Sequence, residues 1–164
     1  MSNKHKIYKL MGILFSIDQI IKIIIRHNIN ELQEIVIIKN FFSLTYVNNS
    51  GAAFSILENS TLLLVLISVF IIILLNNYIK KEAEQFKKVE IISLGLLLGG
   101  IFGNLIDRII NRQVTDYLSF NIFNYGFPIF NFADICIVIG TLLLAISVLF
   151  TKEKKVWKNY LWKY

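Results

Sequence analysis

Four long apolar stretches dominate the chain, running from about Ile7 to Ile25, Thr61 to Ile79, Val89 to Leu105 and Ile129 to Phe150. Each is close to the roughly 20 residues that carry an α-helix across a hydrocarbon core. The pattern therefore predicts a mainly α membrane protein with four transmembrane helices. Between the first two stretches the period changes. Phe42, Leu44 and Tyr46 alternate with Ser43, Thr45 and Val47, and Asn48-Asn49-Ser50-Gly51 then reads as a turn. A small extracytoplasmic β-platform is expected over about 35–57. The segment 111–128 carries Tyr117, Phe120, Ile122, Phe123, Tyr125 and Phe127, too apolar for a free loop, and is expected to be an outer loop that dips into the membrane interface. Pro128 suits the first turn of the fourth span, where its missing N–H costs nothing.

Composition agrees with a bilayer. Of 164 residues, 55% are hydrophobic and only 17% charged, with a mean hydropathy of +0.62. Single-domain organisation over 1–164 follows, since neither repeats nor a long linker are visible. The net charge of +6 does not point to nucleic acid, because the basic residues sit in short runs beside the apolar segments. Lys4, Lys6 and Lys9 precede the first span, Lys80, Lys81, Lys87 and Lys88 join the second to the third, and Lys152, Lys154, Lys155, Lys158 and Lys163 follow the fourth, together twelve of the seventeen Lys and Arg. The positive-inside rule then places both termini in the cytoplasm. Trp157, Tyr160, Trp162 and Tyr164 suit an interfacial C-terminal segment. The basic start and apolar run resemble a signal peptide, but no small-x-small cleavage site follows, and an uncleaved first span is expected.

Cys136 is the single cysteine, which excludes an internal disulfide and a Cys-based zinc site. It reads as a packing residue. Gly95, Gly99 and Gly103 at i, i+4 spacing read as a close helix-packing face rather than a phosphate loop. His27 beside Arg26 reads as an interfacial anchor, and Lys80 to Lys88 with their glutamates as a solvated loop.

The polar residues within the spans carry the chemistry, because an ionisable group in a bilayer is costly. Asp18 and Lys22 are i, i+4 on the first span, which fits either a self-neutralising pair or part of a site. Asn104 and Arg108 are i, i+4 near the end of the third span, with Asp107 between them. Asn131 and Asp134 open the fourth, and Asp116 lies in the outer segment between these two. With the predicted topology all of them meet near the outer leaflet. Asp116 and Asp134 are candidates for a shared-proton dyad, in which one ionised carboxylate activates water and the other, protonated, polarises a carbonyl. Such a dyad hydrolyses an amide without metal, cofactor or covalent intermediate. The helix dipole at the start of the fourth span favours the ionised form of Asp134 as the base, although the pair titrates jointly.

Five strings in register over nearly the whole chain resemble bacterial lipoprotein signal peptidase, also called signal peptidase II. They are Asp18-Gln19-x-x-Lys22, Asn49-Ser50-Gly51-Ala52-Ala53-Phe54, Gly99-Gly100-x-x-Gly103-Asn104-Leu105-Ile106-Asp107-Arg108, Val114-Thr115-Asp116-Tyr117 and Phe130-Asn131-Phe132-Ala133-Asp134. The resemblance implies an intramembrane aspartic endopeptidase of the bacterial cytoplasmic (inner) membrane. It implies prolipoprotein substrates cut just before a diacylglyceryl-modified cysteine, surrounding membrane lipid, and inhibition by globomycin. Position by position, Asp116 and Asp134 match the family's catalytic aspartates and Asn131 an asparagine that supports them. Asp18, Lys22, Asn49, Asn104 and Arg108 match residues that brace the site, and Gly51 to Phe54 the turn from the β-platform into the second span. Thr115 stands where the family pattern has an apolar residue, and Cys136 near a position often small or polar. A signal peptide entering laterally from lipid fits this placement, with Asp116, on a loop, closing over Asp134.

Two other classes compete. A small proton-coupled transporter or channel subunit also uses intramembrane charges, but predicts them at several depths, whereas the inner halves of spans two to four offer only Ser68, Ser93, Thr141 and Ser147. A non-catalytic assembly factor has no need of two aspartates and an asparagine at one depth.

Overall fold

The computed structural model describes residues 1–51, 60–123 and 125–161, with side chains to residue 150. It is mainly helical, with a small antiparallel sheet at one end. The helices are α1 (Asn3–Asn28), α2 (Thr61–Glu82), α3 (Lys88–Asn111) and α4 (Phe132–Leu161), and the strands β1 (Glu34–Ile38), β2 (Phe42–Asn49), β3 (Val114–Ile122) and β4 (Tyr125–Gly126). A 3₁₀ turn, Ala83–Gln85, leads from α2 towards α3.

Among the described residues, three helices are long and apolar enough to cross a membrane: the one beginning at Thr61, α3, and α4 over Phe132–Phe150. The helix at Thr61 and α4 leave most of their apolar side chains uncovered, while α3 is enclosed by its neighbours. Leu66, Phe70 and Ile73 on α2, and Val138, Leu142 and Ile146 on α4, are exposed in the isolated chain, the all-round apolarity expected of helices solvated by lipid. The expected first span is a helix too, and what sets α1 apart is Lys9, Asp18, Lys22 and Arg26 within it.

Glycine makes the helix packing close. A Cβ on Gly95 would lie 2.6 Å from Leu10 Cδ2, one on Gly99 2.8 Å from Leu14 Cβ, and one on Gly103 would strike the Asp18 carboxylate. The expected packing face therefore seats α1 on α3. Gly100 faces the other way, and its Cβ would meet Ile137 Cγ1 at 2.8 Å and Cys136 Cβ at 3.2 Å, which is the buried packing role expected of Cys136. Between α1, α2 and α3, a cluster of Ile7, Ile79, Ala83, Phe86, Leu94 and Leu98 fills the end remote from the sheet.

The sheet corrects two expectations. The segment 111–128 is not a loop over most of its length: Val114–Ile122 is the strand β3, paired antiparallel with β2 from Phe42↔Phe120 to Asn49↔Val114. Chain order in the sheet is β1-β2-β3-β4, so the platform joins two outer segments. What folds β3 back is Arg112, in the left-handed region at φ 60, which stops α3 and donates its N–H to the Arg108 carbonyl at 3.0 Å. The second correction concerns the start of α4. Residues 127–130 are extended, Phe130 bridges Leu118, and the helix begins only at Phe132, so Pro128 is outside its first turn. The cause is capping: Asn131 Oδ1 accepts the Asp134 N–H at 3.0 Å, and Asp134 Oδ2 accepts the Asn131 N–H at 3.1 Å. Ala52, Ala53 and Phe54 of the glycine-alanine turn, the platform's last residues to 57, and Trp162 and Tyr164 lie outside the described residues, as do the side chains of Trp157 and Tyr160.

Candidate active site

Asp116 and Asp134 come from different elements and meet the same asparagine. Asp116, the third residue of β3, pairs with Val47 of β2. Asp134 is the third residue of α4, and the reciprocal cap described above holds its backbone and one carboxylate oxygen. Asn131 extends its side-chain amide in the other direction, donating to Asp116 Oδ1 at 2.6 Å and to Asn104 Oδ1 at 3.2 Å. Its side chain is fully buried. One residue thus fixes the helix start, one carboxylate and the link to the other.

The remaining oxygens are also satisfied. Asn49, at the end of β2, donates Nδ2 to Asp116 Oδ2 at 2.8 Å, while its own Oδ1 accepts the Gly51 N–H at 2.8 Å. Asn104 on α3 donates Nδ2 to Asp134 Oδ1 at 2.8 Å, and its Oδ1 is oriented by Lys22 Nζ at 2.9 Å. Because Lys22 can only donate, Asn104 must present its oxygen to it and its NH₂ to Asp134. Arg108 donates Nη2 to the Gly51 carbonyl at 2.9 Å, pinning the turn after β2 beside the two carboxylates.

A buried ionic layer lies behind these groups. Lys22 Nζ is 2.9 Å from Asp18 and 3.0 Å from Asp107, with all three side chains essentially inaccessible. Asp18 also accepts the Ala133 N–H at 3.1 Å, so the residue before Asp134 is tied to α1. The Asp18–Lys22 pair is thus a direct ion contact, and it also reaches Ala133 and Asn104, the neighbour and the amide partner of Asp134.

Every site residue expected from sequence (Asp18, Lys22, Asn49, Gly51, Asn104, Arg108, Asp116, Asn131 and Asp134) belongs to this one connected cluster. Three partners escape that reading. Asp107 joins Lys22, accepts the Thr115 N–H at 3.3 Å, and lies 3.6 Å from Arg26. Arg26 in turn donates Nη1 to Thr115 Oγ1 at 3.0 Å, so Thr115 is held from both sides. The signal for Arg26 is its position four residues beyond Lys22 and eight beyond Asp18, on the same face of α1.

Asp116, Asp134, Asn49, Asn104 and Arg108 face one cavity of about 490 Å³, whose other walls are largely apolar, from Phe127 to Phe130 and along α4 to Ile139. Such a cavity has the size and lining of a ligand site with a few converging polar groups. Burial, then the negative charge of Asp134, pushes the Asp116 carboxyl up to about 7 against the opposing pull of the Asn49 and Asn131 amides. It can therefore carry a proton near neutral pH.

Similar proteins point in one direction. Residues 10–150 match the family model described as Signal peptidase (SPase) II. The lipoprotein signal peptidase of Clostridium acetobutylicum is 39% identical over 146 residues, 88% of this chain and 93% of that one. The chain belongs to the signal peptidase II family. It is accordingly an aspartic-type peptidase and a membrane protein. Two solved structures titled as bacterial membrane enzymes share the fold. One superposes with a TM-score of 0.83 at 31% identity, covering 91% of this chain and 90% of its own. The other gives 0.77 at 32%, covering 87% and 92%.

Proposed function

We propose that this chain removes the signal peptide from prolipoproteins by cutting before the diacylglyceryl-modified cysteine, with Asp116 and Asp134 as the catalytic pair. The observation that carries this reading is the Asn131 bridge, which brings a buried carboxylate from β3 and a half-buried one from α4 to one cavity. The name of the Clostridium relative supplies the substrate class.

In this reading Asp116 holds the shared proton and Asp134 acts as the base. The start of α4 stabilises the Asp134 charge through the helix dipole and the Asn131 N–H. A water between the carboxylates gives its proton to Asp134 as its oxygen attacks the scissile carbonyl, and Asp116 donates its proton to the carbonyl oxygen. Collapse of the tetrahedral intermediate breaks the C–N bond. The proton on Asp134 passes to the leaving amine of the lipidated cysteine, and the new carboxyl returns one to Asp116. Asp116 is set on a paired strand and tethered through both oxygens, so closure onto substrate falls to other parts of the cavity wall rather than to a loop bearing Asp116.

The chain crosses the bacterial cytoplasmic membrane four times, with α1 as the fourth crossing helix, both termini in the cytoplasm and the carboxylates near the outer leaflet. The apolar cavity wall along α4 suits a signal helix and acyl chains arriving from lipid, and globomycin is expected to occupy the same cavity. A proton relay fits less well, since no charged residue lies in 61–79, 91–103 or 135–150 to continue a path. The test is cleavage of a diacylglyceryl-modified prolipoprotein by the purified chain in liposomes, with globomycin as inhibitor. An intact prolipoprotein in the presence of folded protein defeats the proposal.

A further inference from the structure

The half of the sheet nearest Asp116 rests on helices: Tyr117, Leu44 and Leu118 pack on Ile25 and Ile29 at the end of α1 and on Phe132 of α4. Among the described residues, this packing on helices stops short of the other half, where Phe120 stacks on Phe130 instead. The chain entering α4 meets β3 at Leu118 through Phe130 and again at Phe120 through the Phe127 N–H at 2.8 Å, and β3 runs on to Ile122, roughly 13 Å past Leu118 at about 3.3 Å per residue. Both hairpin turns fall at this free end, side by side, because the Asn121 N–H donates to the Phe41 carbonyl at 2.9 Å.

The surface they present is apolar. Ile37, Ile38, Phe41, Ile122, Phe123 and Tyr125 are all exposed. Phe123 is fully exposed and sits at φ 52, a left-handed conformation that a bulky residue rarely adopts. Water gives no reason to hold an aromatic ring out in this way. The same surface continues downward: Phe127 and Pro128, on the return from the tip, share the cavity wall with Val138 and Ile139 of α4, two residues exposed on a helix apolar enough to span a membrane. The return from the tip thus leads from exposed apolar residues to an apolar cavity wall shared with the bilayer-facing helix.

We propose that this free end of the sheet is a lipid-inserting wedge, with Phe123 foremost, seated among the acyl chains beside α4. Exposed Lys39, in the turn next to Phe41, reaches back to the phosphate level. The wedge holds the overhang down against the membrane, so that the cavity between Phe127–Phe130 and α4 opens to lipid rather than water. That the leaflet is the outer one rests on the reading above; insertion itself does not.

Site-directed nitroxides on the full chain in phosphatidylcholine–phosphatidylglycerol liposomes test this. Labels go on Phe123→Cys and, separately, Ile37→Cys, with exposed Asn30→Cys as the aqueous reference and the parent chain, whose Cys136 is buried, as the blank. Insertion predicts that at both tip positions oxygen collides several-fold more often than a water-soluble nickel chelate, with the reverse at Asn30. Nickel prevailing at the tip would overturn the proposal. Exclusion of both reagents would overturn it too, showing a protein partner, and spin–spin broadening would identify that partner as a second copy. Adding Phe123→Asp to the Ile37-labelled chain is expected to shift that label towards nickel, and an unmoved label would contradict a single wedge. None of these readouts uses cleavage, so their failure is distinct from failure of the peptidase reading.

Discussion

Asn131 does two separable jobs, and substitution can part them. Its Oδ1 caps α4 through the Asp134 N–H, and its Nδ2 holds Asp116 at 2.6 Å. Serine is a good N-cap but lacks the amide, whereas alanine lacks both. Asn131→Ser should therefore keep most of the stability while freeing Asp116. Asp116 becomes charged as it gives its proton to the carbonyl oxygen, and a hydrogen bond to a charged group contributes about 1.5–3 kcal/mol. Lost from the reacting arrangement, that amounts to roughly 10- to 150-fold in kcat, at about 1.36 kcal/mol per decade. Asn131→Ala additionally loses the cap, about 1 kcal/mol, or roughly 2–4 °C in Tm for a chain of this size. The assay is prolipoprotein cleavage in liposomes beside thermal denaturation in detergent. Parent-like kcat in Asn131→Ser would refute the tether, and equal Tm losses in the serine and alanine variants would refute the cap.

Other outcomes follow from the same geometry. Asp116 is raised to about 7 from an ordinary value of 3.8, so the folded chain holds its proton more tightly than the unfolded one. Stability from this group is present below about pH 4 and lost as pH rises through about 7, and Asp116→Asn should flatten that part of a Tm-against-pH curve. Activity should fall on the alkaline side of about pH 7 as the shared proton is lost, visible in kcat measured from pH 5 to 9. Lys22→Met leaves Asp18 buried without its cation and Asp107 with only Arg26 at 3.6 Å, and should cost about 3–5 kcal/mol, read by denaturation of the detergent-solubilised chain. Gly99→Ala drives a methyl to 2.8 Å from Leu14 Cβ and should cost about 1–3 kcal/mol, with KM less affected than Tm.

Local pattern was enough for the helices, because runs such as Leu62 to Ile73 state their environment residue by residue. The site was legible for a related reason. Charged and amide side chains stand out within apolar helices, and the topology gathers their ends. β3 was harder. Val114, Asp116, Leu118, Phe120 and Ile122 alternate as a strand should, but the partner strand β2 lies some 70 residues earlier, and flanking Asn111, Arg112 and Pro128 resemble loop punctuation. Without that pairing Asp116 reads as loop-borne. The start of α4 was missed by three residues because Ile129 and Phe130 are as apolar as the helix they precede, and only the reciprocal bonds of Asn131 and Asp134 mark the boundary. Asp107 and Arg26 were seen as residues but not as partners, since their link through Thr115 joins α1, α3 and β3.

The most direct test of the catalytic pair compares the parent with Asp116→Asn and Asp134→Asn on a diacylglyceryl-modified prolipoprotein, by gel shift in liposomes. Asparagine preserves size and can keep one of the two hydrogen bonds that each carboxylate accepts, but can neither hold the shared proton nor accept one from water. Globomycin-sensitive cleavage by the parent, lost in both variants while each keeps a cooperative thermal transition, is the predicted result. Cleavage at the parent's rate by either variant would contradict the dyad.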